Sequence, residues 1–300
     1  MSGRVVFAIA LAILTAILYA LSNVLQFMEA EQVPDEYSLH LSLLARLARR
    51  PRWLLGTAAD VAGYITCAAA LALAAVVFVM PIVASGILIA LFLGAAFTRR
   101  PVPRSDLLAA AVLSVGLAIF LYEVSPTGGT DVAPPGRWLV AGPILVVAVG
   151  CCLFAARRFH GSPRGALLGI ASGICFGVTA VFTKSFDFYL GRGPLAWAGH
   201  CEPYGMAVAS ISGLVMAQSA LQTGALGAAV GASEALIPIT ASTLGIVLLD
   251  EKITAAGGRW IPVTTAIVAI VWSIVSLARG EQLLLQTSTV SPTAALEPKS

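Results

Sequence analysis

The chain has 300 residues, of which 58% are hydrophobic and 11% are charged, and its formal net charge is +3. Soluble domains carry about a quarter charged residues, so this composition excludes an ordinary soluble protein and indicates an all-α polytopic protein of a cell (plasma or inner) membrane. A net charge this small gives no reason to expect a nucleic-acid partner. The lipid bilayer is the expected surrounding.

The first apolar run, residues 5–27, is longer than the core of a signal peptide, and no small-residue cleavage site follows it. We therefore expect it to remain in the protein as the first transmembrane span. The charged segment that follows ends in an arginine-rich amphipathic stretch, which predicts a helix lying at the membrane surface.

Residues 53–97 carry a single charge, Asp60. As one helix they would be about 67 Å long, whereas the hydrocarbon core of a bilayer is ~30 Å thick. The segment must therefore fold as two spans, residues 53–73 and 76–97. A break rich in arginine and proline separates them from a fourth span, residues 107–122.

Five further spans are expected after a glycine- and proline-rich loop at residues 123–136. They are residues 137–156, 163–184, 204–221, 225–249 and 260–278, and a polar tail, residues 280–300, is predicted to be disordered. Nine spans place the two termini on opposite sides of the membrane. Most lysines and arginines fall on one side, which favours an outside N-terminus and a cytoplasmic C-terminus.

Small residues recur at every fourth position in the first and sixth spans. An offset of 157 residues pairs the two sets, which are Ala8, Ala12, Ala16 and Ala20 in one span and Gly165, Gly169, Gly173 and Gly177 in the other. In a helix this spacing forms a stripe that a neighbouring backbone can approach closely, so we expect both sets to serve helix packing.

The two similar spans start five spans apart and must cross the membrane in opposite senses. We therefore predict an inverted repeat of two four-helix bundles, in residues 1–122 and 163–279, with a connector helix inside 123–162. For the third helix of each copy the register stays open. The offset of 157 aligns residues 80–85 with 237–242, whereas an offset of 150 aligns Ala70 and Leu71 with Ala220 and Leu221.

Two carboxylates stand alone within their spans, Asp60 in the second and Glu234 in the eighth. Intramembrane acids are costly, so both are candidate substrate- or ion-binding residues. Pro238 lies one turn after Glu234, and Pro81 occupies the third span. Each proline removes a backbone hydrogen bond, so we expect both to act as hinges.

Polar residues follow one face of the first span toward its end. They are Tyr19, Ser22, Asn23 and Gln26, and Thr179 and Thr183 form a similar stripe on the sixth span. Two interpretations stay open for these stripes: residues that line a binding cavity, or ordinary hydrogen bonds between helices.

The remaining motifs do not indicate a metal, nucleotide or catalytic site. His200, Cys201 and Glu202 are consecutive and therefore point in different directions, so no metal site is assigned. No nucleotide-binding glycine loop, nucleophile elbow or zinc-protease motif occurs in the sequence. We expect a protein that is not an enzyme and needs no cofactor.

Residues 220–253 resemble the EamA repeat of the drug/metabolite transporter superfamily, with Pro238 and Glu251 in the places of that repeat's proline and acidic helix end. Residues 53–81, the nine spans and the polar end of the first span are similar to NIPA-type magnesium transporters and their actinobacterial relatives. The likeness covers about residues 5–279 and departs at Arg99 and Arg100, where such proteins often carry an acidic helix end. It implies a transporter fold.

Three hypotheses follow from the sequence. The first is a secondary transporter of a small metabolite, drug-like compound or ion that works by alternating access, with Asp60 or Glu234 coupling substrate movement to a proton or cation. The second is a transporter of magnesium or another divalent cation, because hard cations prefer oxygen ligands. The third is a membrane scaffold or assembly protein. The substrate, the direction of transport and the choice between monomer and homodimer stay open.

Overall fold

In the computed structural model the chain is described over residues 3–74, 76–99, 102–124, 126–193, 196–253 and 260–290. Helices make up nearly all of this part. The first six are α1 (Gly3–Ala30), α2 (Leu41–Leu47), α3 (Pro51–Leu73), α4 (Val76–Ala84), α5 (Gly86–Thr98) and α6 (Arg104–Val124). The other five are α7 (Pro135–Ala156), α8 (Ser162–Leu190), α9 (Glu202–Leu221), α10 (Leu226–Leu249) and α11 (Trp260–Val290).

The predicted number of spans is confirmed, because 9 helical segments of the described residues are long and apolar enough to cross a membrane. Helices α4 and α5 together form the third of these spans. The short helix α2 lies between the first two spans, where the sequence predicts a surface helix. Residues Pro126–Thr127 (β1) pair antiparallel with Lys252–Ile253 (β2), with Pro126 opposite Ile253.

Two segments differ from the prediction. Helix α11 continues to Val290, so residues 280–290 are helical rather than the start of a disordered tail, and residues 291–300 lie outside the described residues. The stretch 281–286 is rich in leucine, glutamine and glutamate, which are good helix formers. The third span is interrupted at Ser85, four residues after Pro81.

Helix starts and ends follow local chemistry. Proline occupies the first turn of α3, α7, α8 and α9, where a backbone N–H has no helical partner to lose. Helix α10 ends at Asp250, whose φ of 55° is left-handed and whose N-terminal neighbour Leu249 offers its carbonyl to Thr130 N at 2.7 Å. The loop after α6 therefore closes the end of α10.

The bundle has two distinct ends. The arginine end carries residues 31–50, 157–161 and 222–225, and the side chain of Arg164 binds Asp35 there. The strand end carries β1, β2 and the segment before α9. Helix α1 runs toward the arginine end and α8 runs away from it.

Packing centres on the first helix of each half of the chain. Helix α1 packs against α3, α4 and α5, whereas α8 packs against α9, α10 and α7, and α6 packs against α11. The largest apolar cluster lies where α5, α6, α10 and α11 meet, and it includes the fully buried Leu113, Ile270 and Leu277.

Candidate functional site

A cavity of about 140 Å³ lies between α1, the α4–α5 pair, α6 and α10. Its polar lining consists of Tyr19, Asn23 and Glu234. The other described lining residues are apolar or small, and they are Met80, Val83, Ala84, Gly86, Ile87, Leu113, Leu117, Leu121, Val230, Ile237 and Pro238.

Glu234 is exposed although it belongs to the most buried part of α10. Its helix neighbours Gly231, Ala232 and Ala235 are buried, so its carboxylate is accessible because it faces the cavity. Pro238 lines the same cavity one turn later. Because proline has no N–H, the backbone carbonyl of Glu234 lacks its intrahelical donor, and one residue brings both a carboxylate and a free carbonyl to this wall.

Asp60 lies beside the cavity rather than in its described lining. On α3 it lies on the same side as the buried residues Gly56, Gly63 and Ala70, which contact α1, yet its own side chain is exposed. Asp60 is one turn from Gly63, against which the cavity-lining Tyr19 packs. Asp60 and Glu234 therefore both lie near Tyr19.

Tyr19 stands between these two acids. Its ring lies directly on Gly63, one turn along α3 from Asp60, and a Cβ on Gly63 would be 2.7 Å from the ring atoms Cδ1 and Cε1. Only a glycine at this position lets the ring lie so close to α3. The phenol thus forms the wall of the cavity on the side of Asp60.

The wall formed by α4 and α5 contains the break at Ser85. In a continuous helix the Ala84 carbonyl would accept from Leu88 N, but that N–H donates to Ser85 O instead, at 3.0 Å. The hydroxyl of Ser114 on α6 lies 3.0 Å from Ala84 O and 2.9 Å from Ala110 O of its own helix, so the two carbonyls share its one proton. A carbonyl exposed by the break thus has a polar partner on another helix, as a membrane interior requires.

Two residues of the polar stripe do not line the cavity. Ser22 and Gln26 are buried, and Gln26 Nε2 donates to Ser22 Oγ at 2.9 Å. Gln218 of α9 donates to Gln26 Oε1 at 2.5 Å and accepts from Trp53 Nε1 at 3.0 Å. Of the four predicted residues on α1, only Tyr19 and Asn23 reach the cavity, because the other two face α3 and α9.

Thr179 and Thr183 are also absent from the described lining, because they face α9. Ser210 Oγ lies 3.3 Å from Thr179 Oγ1 while it donates to Met206 O of α9 at 2.7 Å, and Thr183 Oγ1 lies 3.5 Å from the Met206 sulfur. Each threonine also donates to a carbonyl of its own helix. For these residues the structure favours hydrogen bonds between helices.

The glycine stripe of α8 lies against α10. Cβ atoms on Gly173 or Gly177 would be 2.6 Å from Leu236 Cβ or 2.5 Å from Thr240 Cβ, and Gly165 and Gly169 face Thr223 and Ala229 in the same way. The alanine stripe of α1 is buried throughout, at Ala8, Ala12, Ala16 and Ala20. Both stripes therefore occupy helix contacts.

The segment before α9 has no metal-like arrangement. His200 stacks on Tyr189 with ring centroids 3.8 Å apart, and Glu202 is buried and accepts from the Tyr189 hydroxyl at 3.4 Å. Within the described ranges, no three histidine, cysteine or acidic side chains are grouped so that they could hold a metal ion.

Four residues with clear roles were missed by sequence reasoning. Trp53 looks like an interfacial anchor because it starts a span, but it is buried and hydrogen bonded to Gln218. Gln218 itself is an amide in an apolar span, a signal that the sequence does offer. The apolar lining from α6 has no such signal, because Leu113 and Leu117 resemble any other core leucine.

Comparisons with known proteins add one relative without a known role. The chain is 26% identical over 276 residues to an uncharacterized protein of Corynebacterium glutamicum, an alignment that covers 91% of this chain and 94% of the relative. No protein-family model matches the chain. No solved structure matches it.

Proposed function

We propose that the protein is a secondary transporter that moves a small substrate by alternating access. The observation that carries the proposal is Glu234, an accessible carboxylate that lines a cavity within a bundle of membrane-spanning helices. A carboxylate at membrane depth must be neutralised by a proton or paired with a cation. Exchange between those two partners is the chemistry of a coupled transporter.

Parallel contacts in the two halves of the chain support an inverted repeat. Tyr19 lies on Gly63 just as Phe176 lies on Gly213. The aromatic positions differ by 176 − 19 = 157, and the glycine positions by 213 − 63 = 150. Matching the first helices at one offset and the second helices at the other is consistent with two copies whose first loops differ in length.

The third helices, like the second helices, match at the offset of 150. Ala16 contacts Gly86, and Gly173 contacts Leu236. These partners differ by 236 − 86 = 150, so the contacts favour the offset of 150 for this helix. At that offset Pro81 and Pro238 are not equivalent. The two proposed hinges then act at different depths, Pro81 one turn before the break at Ser85 and Pro238 within α10.

The chemistry of the cavity favours a small neutral or cationic substrate. Its described lining has one carboxylate, a phenol and an amide, and it includes no lysine, arginine or histidine that would hold an anion. Leucine, isoleucine and methionine side chains fill the remaining wall and suit an apolar part of the substrate.

A divalent cation such as magnesium is the second candidate. The observation that favours it is Tyr19, which lines the cavity with Glu234 and packs on Gly63 one turn from Asp60, so two carboxylates lie near the cavity, and hard cations prefer such oxygen ligands. Such a cation would keep several of its waters, because the two acids supply few ligands.

Neutral replacement of Glu234 tests the proposal. Metabolites and metals are first compared in cells with and without the protein, and the compound that differs is then measured in reconstituted vesicles under an imposed pH gradient. Glu234→Gln should leave the protein folded and inserted, yet abolish coupled transport or its pH dependence. Asp60→Asn should have a similar or smaller effect.

Glu36→Gln is the matched control, because Glu36 is exposed outside the spans. It should transport as the wild type does. If Glu234→Gln transports at an unaltered rate and with an unaltered pH profile, Glu234 does not couple transport. If no compound differs between the cells, the scaffold hypothesis is favoured. Magnesium as the compound that differs would favour the second candidate.

A further inference from the structure

A chain of buried side chains links the two halves of the protein at the arginine end. Trp53 donates to Gln218 at 3.0 Å, Gln218 donates to Gln26 at 2.5 Å, and Gln26 donates to Ser22 at 2.9 Å. All four residues are buried. We call this set, Ser22, Gln26, Trp53 and Gln218, the glutamine lock.

The glutamine lock joins one half of the chain to the other. Ser22 and Gln26 belong to α1 and Trp53 to α3, whereas Gln218 belongs to α9. Further bonds across the same boundary surround it. Leu39 N donates to Ser219 Oγ at 2.8 Å, and Gln222 Nε2 donates to Val33 O at 3.2 Å.

The glutamine lock lies between the cavity and the arginine end. Asn23 lines the cavity, and Gln26 follows it by one turn of α1 toward that end. Beyond this level Phe27, Ala30, Leu221 and Leu226 form a buried apolar cluster. Toward the strand end, in contrast, the lining reaches Leu121 in the last turn of α6.

The strand end has no counterpart of the glutamine lock among the described residues. With the offsets of 157 for first helices and 150 for second helices, Gln26 corresponds to Thr183 and Gln218 to Ala68. Thr183 contacts Met206 within its own half, and Ala68 is exposed on α3. Over the described ranges, no hydrogen bond joins α3 to α8, whereas α1 contacts α9.

We propose that the glutamine lock is the closed gate of the arginine end, and that the cavity opens to that end only when Gln218 separates from Gln26. This inference rests on the proposed transport function. Neutral amides suit a reversible gate because water can replace each lost bond once the seam opens, so each bond contributes only a modest net stability.

Sidedness of thiol labelling tests the gate without any substrate. Val83→Cys, a cavity-lining reporter on α4, is placed in a protein whose five cysteines, Cys67, Cys151, Cys152, Cys175 and Cys201, are replaced. A membrane-impermeant maleimide is added to oriented vesicles from either side. The reporter should react mainly from the strand end. Gln218→Leu should raise its rate from the arginine end by roughly tenfold or more, the population change expected from losing the two buried hydrogen bonds to Trp53 and Gln26.

Ser210→Ala is the matched control, since it removes a hydrogen bond of α9 that stays within one half of the chain. It should leave the ratio of the two labelling rates unchanged. Trp53→Phe is a milder variant that keeps an aromatic ring and removes only the donor to Gln218, so it should raise the arginine-end rate in the same direction but less. If Gln218→Leu fails to fold, the labelling rate of Trp53→Phe tests the gate instead.

An arginine-end rate that stays within about twofold of wild type in the folded Gln218→Leu protein would overturn the gate, because a broken hydrogen bond should shift the population further. The same result for Trp53→Phe, where it alone folds, would do so too. Neither outcome bears on transport, which the Glu234→Gln flux measurement decides separately.

Discussion

Small residues at matching positions form two helix contacts, or seams. One joins α8 to α10 and is closely packed, whereas the other joins α1 to the α4–α5 pair and borders the cavity. Gly173 and Gly177 keep α8 in contact with the backbone of α10 over successive turns. On α1 the contact of Ala16 with Gly86 is followed by Tyr19 and Asn23, which line a cavity. We call the contact between α8 and α10 the filled seam and the contact between α1 and the α4–α5 pair the open seam.

The difference shows how one packing motif can serve two purposes. A glycine stripe leaves no side-chain volume to adjust, so the contact between α8 and α10 should tolerate added volume poorly. The α1 seam faces a span that is broken at Ser85, and the side chains of Tyr19 and Asn23 line the cavity there. We therefore expect substitutions in the filled seam to affect stability and substitutions in the open seam to affect the cavity.

The largest contrast is expected between the two ends, because the seams run in opposite directions through the membrane. In a cysteine-free background, a cysteine at Thr130 should react fully with an impermeant reagent added outside intact cells, whereas one at Ser105 should not. Both positions are exposed, at the strand end and the arginine end respectively. The reverse pattern would invert the predicted orientation, and labelling of both positions from one side would contradict the helix count between them.

Gly173→Leu should break the filled seam. A side chain there would meet Ser233 O and Leu236, and overpacking of this kind costs about 1–3 kcal/mol or more. The thermal unfolding temperature in detergent is the measurement. Ala16→Leu should be a milder version. Gly150→Leu is the control, because a Cβ at Gly150 on α7 meets nothing within 4 Å. Equal unfolding temperatures for Gly173→Leu and Gly150→Leu would remove the distinction between the seams.

Ser114→Ala should weaken the open seam at its break. The Ala84 carbonyl would lose its donor from α6, which costs roughly 1 kcal/mol. Ser273→Ala on α11 is matched to it, since Ser273 is buried and, among the described residues, bonds only to the Ala269 carbonyl of its own helix. The free energy of unfolding should fall more for Ser114→Ala than for Ser273→Ala. If both fall equally, the break does not depend on Ser114.

The smallest effect on stability is expected at Gly63. In Gly63→Ala the new methyl group must displace the Tyr19 ring, which can rotate, so the cost should be below about 1 kcal/mol. The displaced phenol should change labelling of Val83→Cys in the cavity, whereas Gly150→Ala should not. An unaltered labelling rate would show that Tyr19 does not form that wall.

Much of the candidate site was accessible to sequence reasoning. Asp60 and Glu234 stand out because a lone carboxylate in an apolar span is costly, and in the structure Glu234 lines the cavity while Asp60 lies beside it. Tyr19 and Asn23 were found by their spacing on α1. Ser22, Gln26, Thr179 and Thr183 share that spacing but bond to other helices, because periodicity identifies a polar face and cannot identify the neighbour that the face meets.

The sequence by itself determined the nine spans, because in a bilayer a run of apolar residues must form a helix that satisfies its own backbone. It also determined where helices approach closely, since only small residues allow that contact at a four-residue spacing. The tertiary structure decided the burial of Trp53 against Gln218, the bond from Ser114 to the broken helix and the leucines of the cavity wall. Each of these depends on which helices become neighbours, and the pattern along any single helix carries no information about that choice.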